Sequence, residues 1–324
     1  MIITQKYNSA ADIDPEFIPD LEKLLSDCVP SFEMIKQNEQ KADDSTHFAY
    51  YLFFGQKTNA PIGFAQININ IEKDKSKKTF FSRFKKKPLE MATLNWSMPG
   101  CLKEGIIFDP QYIQHACPKA QSIFEEYQQR EDVKEQELLF SSAYTDLTKL
   151  TQESSSDFVA ESLVKNRDSY QDYMQSLSSN SQKDIRSAWK EIQANSLGDY
   201  EHFKEAFAYK TEGSDQYKNW KSETKVQTYL ELGCPIEYLT VENKDKVLAM
   251  VFFFEGRSGN AFYDIIFSEI SDLAGHQLAI LKFFEKNQLH RLHYLGEKKV
   301  AGELIDLGFT KREQFRVKAQ KVLQ

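Results

Sequence analysis

The turn DLAGHQ contains residues that could bind an anion. It follows a predicted strand and precedes a predicted helix, so Ala274, Gly275, His276 and Gln277 would lie at a helix N-terminus. Unpaired amides and the helix dipole attract a phosphate or carboxylate there, and glycine lets the backbone approach a ligand closely. The alternative is a simple turn glycine. Asp272 would repel a phosphate unless it caps the helix.

Candidate catalytic groups lie on the strands that flank this turn. Tyr263 and Asp264 belong to the strand before it, and Tyr294 and Glu297 lie at the end of the strand that follows the helix. If these strands are parallel and separate at this point, a cleft forms between them. A carboxylate or a histidine there can deprotonate an amine nucleophile. The order of preference for this base is Glu297, Asp264, then His293, and a structural role is the alternative for each.

A basic segment, KDKSKKTFFSRFKKK at 73–87, contains eight Lys or Arg residues interleaved with three phenylalanines. This composition suits an anionic membrane surface or a nucleic-acid backbone, and the alternative is a mobile solvated loop. Trp96, at the end of a predicted strand, is a candidate pocket residue or a core residue. The four cysteines have no CxxC spacing, and His290 and His293 have no suitable carboxylate partner, so we expect no metal site.

The bulk composition is typical of a folded, mildly acidic protein. The length of 324 residues indicates two domains. The net charge of −7 argues against general nucleic-acid binding. No apolar run reaches the roughly 18 residues that a membrane-spanning helix needs. The N-terminus lacks a signal-peptide pattern. We therefore expect a cytoplasmic protein.

Turn residues and the spacing of apolar side chains predict the strands and helices of both halves of the chain. The first half reads as a helix, a hairpin around Gly55 to Pro61, two further strands, a helix starting at Pro118, and a closing strand. A polar, Ser-rich linker follows, so the predicted domains are 1–150 and 156–324. The second half reads as a strand, helices including 183–195, 199–209 and 214–232, a hairpin, a strand, a helix, a strand, a short helix and a last strand. Both halves therefore predict mixed α/β sheets.

This order resembles the GCN5-related N-acetyltransferase (GNAT) fold. The second half is also similar to the acetyltransferase-like domains of the FemABX peptidyltransferases and the BioF2-like acetyltransferases. The segments that carry the resemblance are 169–192, 263–296 and VAGELIDLGF at 300–309. The resemblance implies two tandem acyl-CoA N-acyltransferase-like domains. It also implies a substrate-binding role for Lys183 and Arg186, which occupy the basic positions of the helix after SSNSQ.

The resemblance implies three possible functions. One is transfer of an acyl group from acyl-CoA to the amine of a small molecule, sugar or peptide. Another is FemABX-type transfer from aminoacyl-tRNA, with segment 73–87 contacting the tRNA. A third is a non-catalytic binding protein, because one glycine remains of the usual Q/R-x-x-G-x-G/A loop and Leu304 stands at the position of the usual general-acid tyrosine.

Overall fold

The computed structural model forms two compact units. The first contains residues 1–28, 34–159 and 313–324, and the second contains 29–33 and 160–312. The sequence-based division differs from this because it assigns all of 156–324 to one domain. The residues that the structure describes are 2–56, 59–72, 91–99, 104–141, 143–144, 147, 154–189, 193–197, 229–231, 235–243, 246–268, 273–296 and 301–320.

The first unit contains a mixed sheet in the order β1-β2-β3-β4-β6-β13, with β5 paired to β3. Strands β4 and β6 are parallel, and the other pairs are antiparallel. The predicted hairpin is confirmed as β2 and β3. The elements are β1 (Ile2–Tyr7), α1 (Ile18–Leu24), α2 (Glu33–Gln40), β2 (Thr46–Gly55), β3 (Pro61–Glu72), β4 (Met91–Trp96), β5 (Ile106–Phe108), α3 (Ile113–Gln129), β6 (Val133–Ser141) and β13 (Thr310–Gln320).

Helix α3 covers one face of this sheet. Phe124 and Tyr127 of α3 pack against Trp96, with ring centroids 5.8 and 6.3 Å apart. Because side chains alternate along a strand, residues next to the buried Leu94 and Trp96 point to the opposite face. The predicted helix start at Pro118 is wrong. Asp109 accepts a hydrogen bond from the Gln111 amide and caps a short turn before α3, so Pro118 lies inside the helix.

The second unit has the strand order β7-β12-β11-β10-β9-β8. Strands β11 and β12 are parallel, and the other described pairs are antiparallel. The elements are β7 (Ser154–Val164), α4 (Tyr170–Ser176), α5 (Ser179–Trp189), β8 (Gln193–Leu197), β9 (Ile236–Asn243), β10 (Lys246–Glu255), β11 (Asn260–Ser268), α6 (Leu273–Glu285), β12 (Arg291–Tyr294) and α7 (Ala301–Asp306).

The core of this unit forms between α6 and strands β9, β10 and β11. Buried side chains of α6, such as Ile280 and Phe283, pack with Val251 and Phe253 of β10. The predicted helix 183–195 is too long, because α5 ends at Trp189 and residues 193–197 pair with β9 as a strand. The helices predicted at 199–209 and 214–232 lie outside the described residues, except for the short segment 229–231.

Candidate functional site

The pairing of the parallel strands of the second unit stops at one end. Strands β11 and β12 pair as far as Tyr263 opposite Tyr294, and the Leu295 amide donates to the Tyr263 carbonyl at 2.9 Å. Strand β12 then ends, whereas β11 continues to Ser268. An irregularity in the pairing of β10 with β11 at Ile266 increases the local twist. The described pairing between the two strands therefore stops directly beyond these tyrosines.

Three of the predicted residues meet at the end of this pairing. The Tyr263 hydroxyl lies 2.7 Å from His276 Nδ1, in the first turn of α6. The ring of Tyr294 lies 5.1 Å from the ring of Tyr263 and 5.0 Å from that of His276, measured between centroids. Tyr263 and His276 are fully buried, and Tyr294 is half-buried. The tertiary structure thus brings Tyr263, Tyr294 and His276, which are separated in the sequence, into one cluster.

His276 is held in its neutral form. Burial lowers the pKa of His276 to about 4, because a charged imidazolium would lose its hydration. In the tautomer whose Nδ1 accepts the Tyr263 hydroxyl proton, Nε2 carries the ring hydrogen. Among the described residues, His276 Nε2 has no hydrogen-bond partner. A buried polar atom without a partner is costly and suggests a ligand-binding or catalytic role.

The neighbouring Gln277 contacts two tyrosine hydroxyls. Its side-chain oxygen accepts a hydrogen bond from the Tyr170 hydroxyl at 3.0 Å. Burial raises the pKa of Tyr170 to about 12, so this hydroxyl stays protonated and can donate. Gln277 Nε2 makes no hydrogen bond of good geometry with the described residues, but the Gln277 side chain interacts with the Tyr173 hydroxyl and lowers its pKa, against the effect of burial. Among the described residues of this turn, His276 Nε2 is therefore the buried polar nitrogen that lacks a partner.

Gly275 has a packing role that the sequence does not show. A Cβ atom at this position would lie 2.9 Å from Ile265 Cδ1 and 3.0 Å from Ile265 Cγ1. The glycine thus permits α6 to pack closely on β11. Ala274 and Gly275 are both buried. The close contact that the glycine permits is therefore the contact between α6 and β11.

Asp264 points to the opposite face of the sheet from Tyr263, as consecutive strand residues do. It is 1% exposed, and the Tyr229 hydroxyl donates to its carboxylate at 2.6 Å. Burial and then the charge of Asp264 raise the pKa of Tyr229, with a smaller contribution from Tyr294.

A cavity of about 370 Å³ borders the start of α6 at Leu273. Its lining includes the carboxylates of Asp184 and Asp306, so its charge suits a phosphate poorly. Lys183 and Arg186 lie exposed on α5 and do not line this cavity. The structure therefore does not bring these two basic residues into a site with the start of α6.

Other candidates have clear positions or lie outside the described residues. His293 is buried, stacks on Phe262 and lies 3.2 Å from Asn260 Oδ1, which is a structural arrangement. Glu297 and the basic segment 73–87 lie outside the described residues. Within the described ranges, no cluster of three or more His, Cys, Asp or Glu side chains could hold a metal ion. No helix there is long and apolar enough to cross a membrane.

The first unit has a polar cavity of about 410 Å³ that our sequence reasoning missed. Trp96 contributes to its lining, although the indole packs in the core. The sequence feature that corresponds to this cavity lies in β3, where Gln66, Asn68 and Asn70 alternate with apolar residues. Such alternation is ordinary for a half-exposed strand, so it did not single out a binding surface.

Comparison with known proteins identifies solved structures that superpose on this chain. No protein-family model matches the chain, and no curated protein matches it. Among solved structures, FemX superposes with a TM-score of 0.53 at 10% identity, covering 96% of each chain. A tandem GNAT protein from the clavulanic acid biosynthesis pathway gives 0.48 at 7% identity over 100% of each chain. A GCN5-related N-acetyltransferase from Sphaerobacter thermophilus gives 0.39 at 10% identity, over 100% of this chain and 97% of that one.

The predicted fold class is confirmed. The chain has the α/β fold of tandem GNAT-like domains, and FemX shares that fold over nearly its whole length. In both units a parallel strand pair is flanked by antiparallel strands.

Proposed function

We propose that the protein is an acyltransferase that moves an acyl group from acyl-CoA to an amine acceptor, with the reaction in the second unit. The observation that carries the proposal is the buried His276 Nε2, which has no hydrogen-bond partner among the described residues and lies where the pairing of β11 and β12 ends, the point at which we place a gap for the donor. A fixed hydrogen-bond donor beside such a gap suits a carbonyl oxygen that gains negative charge during the reaction.

In this proposal, the acyl carbonyl lies in the gap and receives hydrogen bonds from His276 Nε2 and Gln277 Nε2. The amine attacks the carbonyl carbon, the carbon–nitrogen bond forms, the carbon–sulfur bond breaks, and the coenzyme A thiolate leaves. Asp264, on the opposite face of the sheet, accepts the amine proton. Both nitrogens are buried in this structure, so the proposal requires side chains over α6 to move when the donor binds.

The neutral state of His276 supports this role. A histidine with a pKa near 4 does not titrate at neutral pH, so it acts as a fixed hydrogen-bond donor. It is not placed to act as a general base, because its Nδ1 lone pair accepts the Tyr263 hydroxyl. Asp264, directly after Tyr263 on β11, is the proposed base, and Glu297 is the alternative.

Calorimetry of the whole chain with acetyl-CoA tests the proposal. We expect binding, and we expect Gln277→Leu to weaken it about 5- to 150-fold, the effect of about 1–3 kcal/mol of lost hydrogen bonding. Gln288→Leu is the matched control, because Gln288 is exposed and bonds Glu255 instead. Equal affinity of the parent and Gln277→Leu would remove this residue from the site. No binding at millimolar acetyl-CoA would contradict the acyl-CoA proposal.

Aminoacyl-tRNA-dependent transfer is the second candidate, and the fold shared with FemX favours it. Segment 73–87 would then contact the tRNA backbone through its eight basic residues. Retention of the protein on aminoacyl-tRNA at physiological salt, without acetyl-CoA binding, would support this candidate. If neither ligand binds, a non-catalytic protein with the same fold takes its place, which agrees with the buried Leu304 at the position of the usual tyrosine.

A further inference from the structure

The polar cavity of the first unit is a second candidate binding site, independent of the reaction proposed above. Its volume of about 410 Å³ is within the range typical of small-molecule sites. The cavity lies on the sheet face opposite α3, and residues at the end of α2 close one side. The lining residues are Asn38, Lys41, Ala42, Thr46, Phe48, Asn68, Asn70, Asn95, Trp96, Ser97, Glu137 and Leu139.

Strand register places the polar side chains in rows. Asn68 of β3 pairs with Asn95 of β4, which pairs with Glu137 of β6. Neighbouring strands lie about 4.8 Å apart, so these three side chains form a continuous polar strip. Thr46 and Asn70, opposite each other on β2 and β3, continue the polar surface.

Hydrogen bonds fix some of these amides. The buried Gln66 donates to Asn68 Oδ1 at 2.8 Å, and Asn68 Nδ2 in turn lies 3.0 Å from both the carbonyl and the hydroxyl of Ser97. The Thr46 hydroxyl lies 3.0 Å from Asn70 Oδ1 and 3.1 Å from Asp43 Oδ1, and its single hydrogen is shared between these two acceptors. These contacts hold the amide plane of Asn68 in place and occupy one end of the Asn70 amide.

Other polar groups remain available to a ligand. Asn70 contacts Thr46 through one end of its side-chain amide, and the partly buried Asn95 lines the cavity. An asparagine amide supplies both donors and an acceptor. The cavity therefore offers the other end of the Asn70 amide and the donor–acceptor pair of Asn95.

The charges in the lining are balanced. Glu137 forms ion pairs with Lys318 at 2.9 Å and with Arg316 at 3.3 Å. Lys41 is exposed at the rim. The cavity thus has no unpaired cluster of charge that would favour a strongly ionic ligand. Phe48, which is 7% exposed and stacks on Tyr50, lines the cavity next to the polar strip and adds an apolar surface.

We propose that this cavity binds a neutral sugar. Adjacent sugar hydroxyls each donate and accept hydrogen bonds, which matches the asparagine amides, and the apolar face of a sugar ring packs on an aromatic ring such as Phe48. An extended peptide bound by its backbone would need an exposed sheet edge, whereas these amides project from the face of the sheet. A neighbouring cavity of about 380 Å³ shares Thr46 and Phe48, which gives room for a second sugar ring.

Saturation-transfer NMR and calorimetry of the full chain with N-acetylglucosamine and its β-1,4-linked disaccharide test this site. We expect millimolar or tighter binding, with the disaccharide binding more tightly. Asn95→Ala and Asn70→Ala should each weaken binding about tenfold, equivalent to about 1.4 kcal/mol. Gln121→Ala is the matched control, since Gln121 is an exposed amide on α3 that bonds Glu125.

The variants should keep the melting temperature of the parent, because both asparagines are only partly buried. Absence of saccharide binding at tens of millimolar would overturn the proposal. So would unchanged affinity in Asn95→Ala, or displacement of the sugar by triglycine at a similar concentration, which would identify a peptide site instead.

Discussion

At the scale of single residues, His276 couples the candidate site to the stability of the fold. The unfolded chain takes up a proton on this histidine near pH 6.5, but the folded protein does so only near pH 4, because burial disfavours the charged ring. Between these values the unfolded state binds more protons. Stability is therefore complete above pH 6.5 and falls as the pH is lowered.

We predict a loss of about 3 kcal/mol of unfolding free energy from this group between pH 6.5 and pH 4, at about 1.4 kcal/mol per unit of pKa difference. Urea unfolding as a function of pH measures it. In His276→Asn, whose oxygen can still accept from Tyr263, the pH dependence should flatten. His115→Asn, at an exposed position of α3, should retain it. Identical slopes in His276→Asn and the parent would contradict the assignment.

Asp264 allows a second prediction at this scale. If it accepts the amine proton, Asp264→Asn should lower the rate of acyl transfer about 10²- to 10⁴-fold while acetyl-CoA affinity stays within a few-fold. The amide can still accept from the Tyr229 hydroxyl, so the packing should persist. Thiol release from acetyl-CoA in the presence of a panel of amines measures the rate. A larger loss in Glu297→Gln, with Asp264→Asn active, would assign the base to Glu297.

At the scale of elements, the fit of α6 against β11 depends on the absence of a side chain at Gly275. We predict that Gly275→Val lowers the unfolding free energy by about 1–3 kcal/mol, because its methyl groups would overlap the Ile265 side chain. Denaturant unfolding measures the loss. Adding Ile265→Val removes Cδ1, the atom that lies nearest, and should recover part of it.

The double substitution separates packing from ligand contact at this position. Recovery of stability together with acetyl-CoA binding would show that Gly275 serves the helix–strand fit. If the double variant regains stability but still fails to bind acetyl-CoA, a Cβ atom here obstructs the ligand. The second result would support the sequence-based hypothesis that the turn approaches an anion.

At the scale of the whole molecule, the C-terminal residues 313–324 belong to the first unit. Strand β13 pairs with β6 from Gln314 opposite Ser141 to Gln320 opposite Glu135. Val317 is fully buried in the core of the first unit, and Ala319 lies beside it. The last strand in the sequence therefore completes the sheet that the first strands begin.

We predict that deleting residues 313–324 destabilises the first unit more than the second. The deletion exposes the edge of β6 and removes the buried side chain of Val317. Hydrogen exchange of the full-length and truncated chains should show faster exchange in 133–141, with little change in 246–255 of the second unit. Deleting only 321–324 is the control. Equal acceleration in both segments would mean that the two units unfold as one.

Local sequence patterns determined much of this fold. The alternation in β3 and the turn residues before it predicted the β2–β3 hairpin, and a strand, turn, helix and strand were predicted in the correct order from β11 to β12. These features depend on the preferences of contiguous residues, which the sequence displays directly. The same order predicted that Tyr263 and Tyr294 would lie near each other at the strand ends.

Only the tertiary structure decided which distant segments meet. The N-terminal strand β1 and the strand β8 depend on pairing with β2 and β9, and no local pattern identified either as a strand. The separation of Tyr263 and Asp264 onto opposite faces, the contact of Gly275 with Ile265, and the polar strip through Asn95 likewise depend on strand register and helix packing. The physical reason is that burial and hydrogen bonding are set by neighbours far away in the sequence, whereas composition and spacing report only the preferences of residues close together along the chain.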